Sequence, residues 1–270
     1  MNERMSYIRF KTYDPYEIGH PEAYQVHTAL DYVGDESSLH TLYLSVPKNV
    51  EKPPLIVFIP GGGLTSCGRT APESLWNKWC AVAELRYRLY PAVKNPGQIE
   101  DVLQALAFLR KNAPQYGYDP ERIVIAGQSA GGWIAAMTVF DPANLRKIDF
   151  PQEHITGMIL LSAQLTTHFK VKEFSHPQIP RFVPLIDENA PLAHLRKDLP
   201  PLLLITGDPE LEIPGRVDEN RLCASSLKAL GHSDVRHYIL QGYAHSPAIA
   251  GSSWLVDVWL NELFGRDHPV

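Results

Sequence analysis

The chain has 270 residues, 44% hydrophobic and 20% charged, with a formal net charge of -5 at pH 7, a balance that fits a globular α/β protein with one large core. Nothing in the net negative charge suggests a nucleic-acid surface, there is no Lys/Arg stripe, and no apolar run is long enough to cross a bilayer. Cys67, Cys80 and Cys223 are too few and too scattered for a disulfide scaffold.

The opening Met1-Asn2-Glu3-Arg4-Met5 lacks the apolar core of a secretion signal, so the expected location is cytoplasmic. Residues 1 to about 20 are polar and aromatic, with Tyr7, Phe10, Tyr13 and Tyr16, and read as an irregular arm packed on the body. Runs near 22–30 and 39–46 read as antiparallel strands joined by the Gly34-Asp35 turn. The continuous apolar run Leu55 to Ile59 predicts a strand buried on both faces, and a further strand is expected over Cys80 to Tyr87. Ile99, Val102, Leu103, Leu106 and Leu109 recur at helical spacing over 98–111.

A strand is then expected at Ile123 to Ile125, a helix at 132–140, and strands at Ile155 to Leu161 and Leu202 to Ile205, the last entered through Pro200-Pro201. A helix over 219–230 stops at Gly231, a strand follows at Val235 to Leu240, and an amphipathic helix over 252–264 closes the pattern. Alternating buried strands and helices argue for a mostly parallel sheet covered on both faces. The segment 163–199 breaks the rhythm: it is long, carries Phe169, Phe174, Pro177 and Phe182, and has no clear period. It reads as a small lid or pocket wall within a single domain spanning residues 1–270.

The motif with the most chemical content is Arg122-Ile123-Val124-Ile125-Ala126-Gly127-Gln128-Ser129-Ala130-Gly131-Gly132. A β-branched run enters Gly-x-Ser-x-Gly and leaves into a helix-forming segment, the sequence form of a nucleophile elbow that pushes the Ser129 hydroxyl into solvent. Pro60-Gly61-Gly62-Gly63 directly follows the buried strand at 55–59, so its backbone N–H groups are free to face a cavity. Gly62, Gly63 and the helix-start amide of Ala130 are the candidate donors to a developing oxyanion. No Gly-Lys-Ser/Thr follows the glycines, which argues against a phosphate-binding loop.

A serine hydroxyl needs an imidazole base, and the imidazole needs a carboxylate to hold its tautomer. Among 11 histidines, His245 in Gly242-Tyr243-Ala244-His245 lies between the last strand and the last helix, where parallel sheets place their chemistry; His232 and His237 lack that context. The strand at 202–205 empties into Gly207-Asp208-Pro209-Glu210-Leu211-Glu212, and Asp218 follows, so spacing alone leaves Asp208, Glu210, Glu212 and Asp218 open as the acid.

These residues carry a resemblance. The stretch from about 54 to 264 resembles the α/β-hydrolase superfamily, and within it the small serine carboxylesterases related to hormone-sensitive lipase and the bacterial acyl and acetyl esterases. The likeness rests on the two glycine motifs, Arg86-Tyr87-Arg88-Leu89-Tyr90-Pro91, Glu100-Asp101-Val102, Tyr118-Asp119-Pro120-Glu121-Arg122-Ile123 and Asp187-Glu188-Asn189-Ala190-Pro191-Leu192. It implies an eight-stranded, mostly parallel α/β-hydrolase sheet with helices on both faces. It makes Ser129 the nucleophile and His245 the base, and places the acid three residues after Gly207, at Glu210, where the family more often has aspartate. Pro60 is a second departure, since the family usually has a histidine there to brace the oxyanion loop.

The expectation is therefore a carboxylesterase acting on short-chain acyl or acetyl esters by two-step acyl transfer, with no cofactor and no metal. Its partner is a small-molecule ester; neither nucleic acid nor membrane is expected, and the C-terminal helix is a surface on which a homodimer can form. An arylformamidase, a peptidase-like amide hydrolase and a non-catalytic ligand-binding member of the fold are the alternatives, because a fold and a triad do not set specificity.

Overall fold

A computed structural model describes residues 23–266 apart from 69, 70, 73, 74 and 78, so the expected N-terminal arm with Tyr7, Phe10, Tyr13 and Tyr16 lies outside the described residues. Eight strands form one sheet: β1 (Tyr24–Asp31), β2 (Thr41–Pro47), β3 (Pro54–Ile59), β4 (Ala81–Leu85), β5 (Asp119–Gln128), β6 (Ile155–Leu161), β7 (Leu202–Thr206) and β8 (Val235–Ile239). Their order is β1-β2-β4-β3-β5-β6-β7-β8. The pairs β1–β2 and β2–β4 are antiparallel, and every other neighbouring pair is parallel.

Side-chain alternation splits the core between the two faces. Leu55, Val57 and Ile59 of β3 join Ile123 and Ile125 of β5 on one face, under α1 (Gly97–Tyr116) and α2 (Ala130–Phe140). Ile56 and Phe58 join Val124, Ala126, Ile159 and Leu203 on the other, under Val256, Trp259 and Leu260 of α7 (Ser253–Leu263). Each of the buried Leu, Ile, Val and Phe side chains among them contributes about 1.5–3 kcal/mol of transfer free energy. The continuous apolar character of β3 and of Ile123–Ala126 in β5 follows, because neither stretch has a solvent face.

Several boundaries differ from the sequence reading, for local reasons. Helix α1 continues past residue 111 to Tyr116 and stops only where Gly117 (φ 83°) turns left-handed and returns its N–H to the Ala113 carbonyl. Helix α5 (Arg216–Ala229) begins three residues early because Arg216 and Val217 are drawn into the interior. The strand expected over Cys80 to Tyr87 ends at Leu85. The helix expected over 252–264 is α7, which lays Trp259 against Gly157 of β6; a short α6 (Pro247–Gly251), not expected from the sequence, precedes it.

The irregular segment 163–199 contains α4 (Phe169–Ser175) and a single turn of 3-10 helix at Pro191–His194. The buried Lys172 ammonium fastens this segment to itself: Nζ donates to the carbonyls of Pro180 (2.8 Å), Arg181 (3.0 Å) and Val183. Burial lowers the Lys172 pKa from its ordinary value, and the three carbonyls replace the water it loses. The loops after β3, β5, β7 and β8 all emerge at one edge of the sheet, the carboxyl ends of its parallel strands.

Candidate active site

Ser129 sits at φ 52°, ψ -116°, between the last residue of β5 and the first of α2. A non-glycine residue held there costs about 1–3 kcal/mol, so the surroundings must impose it. They do: the Ser129 amide donates to the Leu161 carbonyl at 2.9 Å, and the Ser129 carbonyl accepts from Trp133 N at 3.1 Å. The turn is tight enough that Gly131 meets the backbone of β3; a methyl group there would come within 2.1 Å of the Ile59 carbonyl oxygen.

His245, 116 positions further along the chain, places Nε2 2.9 Å from Ser129 Oγ. Its Nδ1 lies 2.8 Å from Glu212 Oε2 and 3.1 Å from Oε1. An Nδ1–H donated to that carboxylate leaves Nε2 unprotonated toward the serine. The Glu212 side chain is 1% exposed and that of His245 21% exposed, so the carboxylate is enclosed while the imidazole reaches the surface. Burial raises the Glu212 pKa, but the His245 hydrogen bond and charge, with the Ile213 amide at 2.7 Å, outweigh it and hold the carboxyl below its ordinary value of 4.5.

The carboxylate beside His245 is thus Glu212, and the expectation of Glu210 is corrected. Glu210 is exposed, as is Asp218, whose carboxylate instead meets Arg221 at 2.7 Å. The reason is the shape of the loop. Asp208-Pro209 opens a turn in which the Leu211 and Glu212 amides both donate to the Asp208 carbonyl, at 3.0 and 2.9 Å. That turn rotates residue 210 outward and residue 212 toward the imidazole. The usable signal was the Asp-Pro turn initiator, which makes a count from Gly207 unsafe. Asp208 caps the arrangement: its Oδ1 accepts the Glu210 amide at 3.0 Å and its Oδ2 the Gly242 amide at 2.8 Å. His232 and His237 lie elsewhere, on the Leu199 carbonyl and the Thr206 hydroxyl.

The glycine loop lies against the serine: a methyl group on Gly61 would stand 3.2 Å from Ser129 Cβ. Gly62 and Gly63 take φ values of +124° and +61°, and the Gly62 carbonyl accepts from Thr65 N (3.0 Å) and Ser66 N (3.1 Å). Ala130 is the first residue of α2, where an amide has no partner within its helix. With Pro60 in place of the histidine, the brace comes from Tyr87, whose buried hydroxyl donates to the Pro60 carbonyl at 2.8 Å. Burial pushes the Tyr87 pKa well above its ordinary value, so the hydroxyl keeps its proton and stays a donor.

A cavity of ≈ 310 Å³ opens beside these loops. Phe169 of α4 forms one wall, its ring 3.4 Å from where a Gly63 methyl group would sit, and Ile213, next to Glu212, forms another. Arg181 lies over the Phe169 ring, 4.1 Å from its centroid. The floor holds a buried ion pair, Arg216 Nε to Glu219 Oε1 at 2.7 Å, with Glu219 Oε2 accepting from the Thr166 amide (3.0 Å) and hydroxyl (2.8 Å). Burial raises the Glu219 pKa despite Arg216 and the Thr166 bonds. Among the described residues no group of three His, Cys, Asp or Glu side chains is placed to hold a metal ion, and no helix is long and apolar enough to cross a membrane.

An eight-stranded, mostly parallel sheet with helices on both faces, and a strained serine on the strand-to-helix turn after β5, define an α/β-hydrolase fold. Comparison with known proteins agrees. The BD-FAE family model matches residues 42–155. A probable isoprenylcysteine alpha-carbonyl methylesterase of Arabidopsis thaliana is 25% identical over 256 residues, covering 85% of this chain and 53% of that protein. Esterase LipC of Mycobacterium tuberculosis is 25% identical over 243 residues, covering 79% and 58%. The chain spans about half the length of the curated relatives it matches. Among solved structures, a propionate-bound thermophilic esterase from the planctomycete Thermogutta terrifontis superposes with a TM-score of 0.71 at 22% identity, covering 92% of this chain and 97% of that one. A truncated carbohydrate esterase from gut microbiota gives a TM-score of 0.68 at 19% identity, covering 90% and 98%. The chain has the α/β-hydrolase fold and is similar to known esterases that share it.

Proposed function

We propose that this protein is a serine carboxylesterase of short-chain acyl or acetyl esters, with Ser129 as nucleophile, His245 as base and Glu212 as the acid that orients it. The observation that carries this reading is the continuous chain of contacts from Glu212 through both ring nitrogens of His245 to Ser129 Oγ, at 2.8 and 2.9 Å. In the first step Ser129 Oγ attacks the ester carbonyl carbon and its proton passes to His245 Nε2. Gly62, Gly63 and Ala130 N–H groups stabilise the tetrahedral oxygen. The C–O bond to the alcohol then breaks, with the His245 proton moving onto the departing oxygen. In the second step water attacks the acyl-serine, giving its proton to His245, and the acid leaves as Ser129 recovers a proton.

The segment 163–199 serves in this reading as the pocket wall. Phe169 from that segment meets the glycine loop, and the cavity it lines lies next to the acid loop. The test is covalent labelling by a fluorophosphonate combined with hydrolysis of 4-nitrophenyl acetate and butyrate. Wild type is expected to label and to turn over; Ser129→Ala is expected to do neither. A wild-type protein that neither labels nor hydrolyses either ester overturns the proposal.

A further inference from the structure

The rim of the cavity walled by Phe169 and Ile213 is apolar and open to water. Phe182, Val183, Ile186 and Leu222 all line it and all stand half-exposed. Exposed apolar surface gathered around one concave opening marks a place that a guest covers. Ser129, His245 and the three loop glycines are not among the lining residues, so the opening is a neighbour of the candidate triad and not part of it.

Charge narrows the choice of guest. Lys172, Arg181, Arg216, Asp218 and Glu219 are the charged side chains of the lining, and four of them are engaged. Lys172 Nζ is taken up by three carbonyls, Arg216 pairs with Glu219, and Asp218 pairs with Arg221. Arg181 is the fifth. It is exposed, and its guanidinium lies 4.1 Å from the ring centroid of Phe169 and 5.4 Å from that of Phe182. Among the described residues no carboxylate pairs with it and no acceptor takes its N–H donors. The two rings restrict where the guanidinium lies, while its fork of donors, which matches a carboxylate, stays available to a ligand. The volume of ≈ 310 Å³ is that of a small-molecule site, about 300–1,000 Å³ in general.

We infer that this cavity is a second binding site, for a small amphiphile with a hydrocarbon body and a carboxylate, the body held among Phe182, Ile186 and Leu222 and the carboxylate on Arg181. The inference stands on the cavity alone and does not require the esterase reading.

The experiment titrates octanoate, 1-octanol and octylammonium into the full chain by isothermal calorimetry, with acetate as the anion that lacks the hydrocarbon. One octanoate per chain is expected, bound at least about fivefold more tightly than octanol, the scale of one charge-assisted contact near the surface. Octylammonium is expected to bind most weakly. Arg181→Gln is expected to bring octanoate to within about twofold of octanol while leaving octanol unchanged, with Arg181→Lys in between. Leu222→Trp, which fills the cavity, is expected to weaken octanoate and octanol alike. Both positions are exposed, and urea midpoints near wild type show that the variants fold. Octanoate that does not bind, binds no tighter than octanol, is unaffected by Arg181→Gln, or is displaced equally well by acetate overturns the inference. So does loss of octanoate binding after treatment with a fluorophosphonate, which would put the carboxylate at Ser129. A dimer in sedimentation velocity that takes up no octanoate overturns it too, by making a second copy the occupant of the rim. A protein that binds octanoate but neither labels nor hydrolyses an ester keeps this site and loses the esterase reading.

Discussion

Asp208 is bonded to Gly242: its Oδ2 accepts the Gly242 amide at 2.8 Å, while its own amide donates to the Tyr243 carbonyl at 2.7 Å. These two bonds lock the loop that carries Glu212 onto the loop that carries His245. Asp208 touches neither Ser129 nor a reacting atom in the proposed mechanism; it positions the two residues that do. Asp208→Ala is expected to lower kcat/KM by roughly 10- to 100-fold, the scale set by an ångström of misplacement. Fluorophosphonate labelling of Ser129 is expected to persist at a reduced rate. Asp208→Asn, which keeps a side-chain acceptor, is expected to lie between the two. Steady-state kinetics on 4-nitrophenyl butyrate check the order.

Glu212 and Glu210 give a paired test. Glu212→Gln keeps the shape but offers the imidazole an amide in place of a carboxylate, so the wrong tautomer is favoured. A loss of about 10³- to 10⁴-fold in kcat is expected, with KM little changed. Glu210→Gln changes an exposed loop charge and is expected to stay within about twofold of wild type. The reverse pattern would return the orienting role to Glu210.

The pH dependence of stability carries the same signature. The folded Glu212 carboxyl is held below its ordinary value of 4.5, with burial opposing and His245 favouring ionisation. A lowered folded pKa means that the stabilisation is present in full above the unfolded value and is lost as pH falls through the folded one. The urea midpoint of wild type is therefore expected to fall between neutral pH and pH values under 4.5 by more than that of Glu212→Gln. Denaturation curves at both pH values, read by fluorescence, measure the difference.

Gly131→Ala tests the elbow. The added methyl group would stand 2.1 Å from the Ile59 carbonyl oxygen and 2.5 Å from that of Pro60, both backbone atoms without a rotamer to change. Either β3 or the serine turn must move, and the expected cost is about 1–3 kcal/mol of stability. Because the displaced atoms lead into the glycine loop, esterase turnover is expected to fall further than stability does. Urea melts and phosphonate labelling rates, taken together, separate the two losses.

Thiol chemistry reports on the core. Burial pushes the Cys80 and Cys223 thiols up to about 12, and neither can offer a thiolate at neutral pH. Cys67 is half-buried at the end of the glycine-loop segment. Ellman's reagent is expected to react with one thiol per native chain and with three after unfolding in guanidinium. A native count above one would mean that the sheet opens on the time scale of the reaction.

What could be read from the sequence and what could not divides along the range of the interactions. The strands at 55–59 and 155–161 were legible because burial on both faces leaves the apolar runs Leu55–Ile59 and Met158–Leu161, a purely local mark. The placement of Ser129 was legible because the elbow lies within eleven consecutive residues. The neighbour of His245 was not, because it depends on how the Asp208-Pro209 turn winds, and one turn decides whether residue 210 or 212 faces inward. The start of α5 was misjudged because Arg216, a charged residue buried against Glu219, does not mark a helix in an apolar count.

Tyr87 and Pro60 bear on how such a protein can change over time. Their bond anchors the glycine loop to the sheet interior from behind, and the residues that shape the cavity from 163 to 188 take no part in it. In the proposed mechanism the anchor behind the Gly62 and Gly63 donors is therefore separate from the wall that chooses the guest, although Phe169 of that wall touches Gly63. On that reading, lineages carrying this scaffold are free to rewrite the wall, and with it the preferred ester, while keeping the Tyr87 anchor intact.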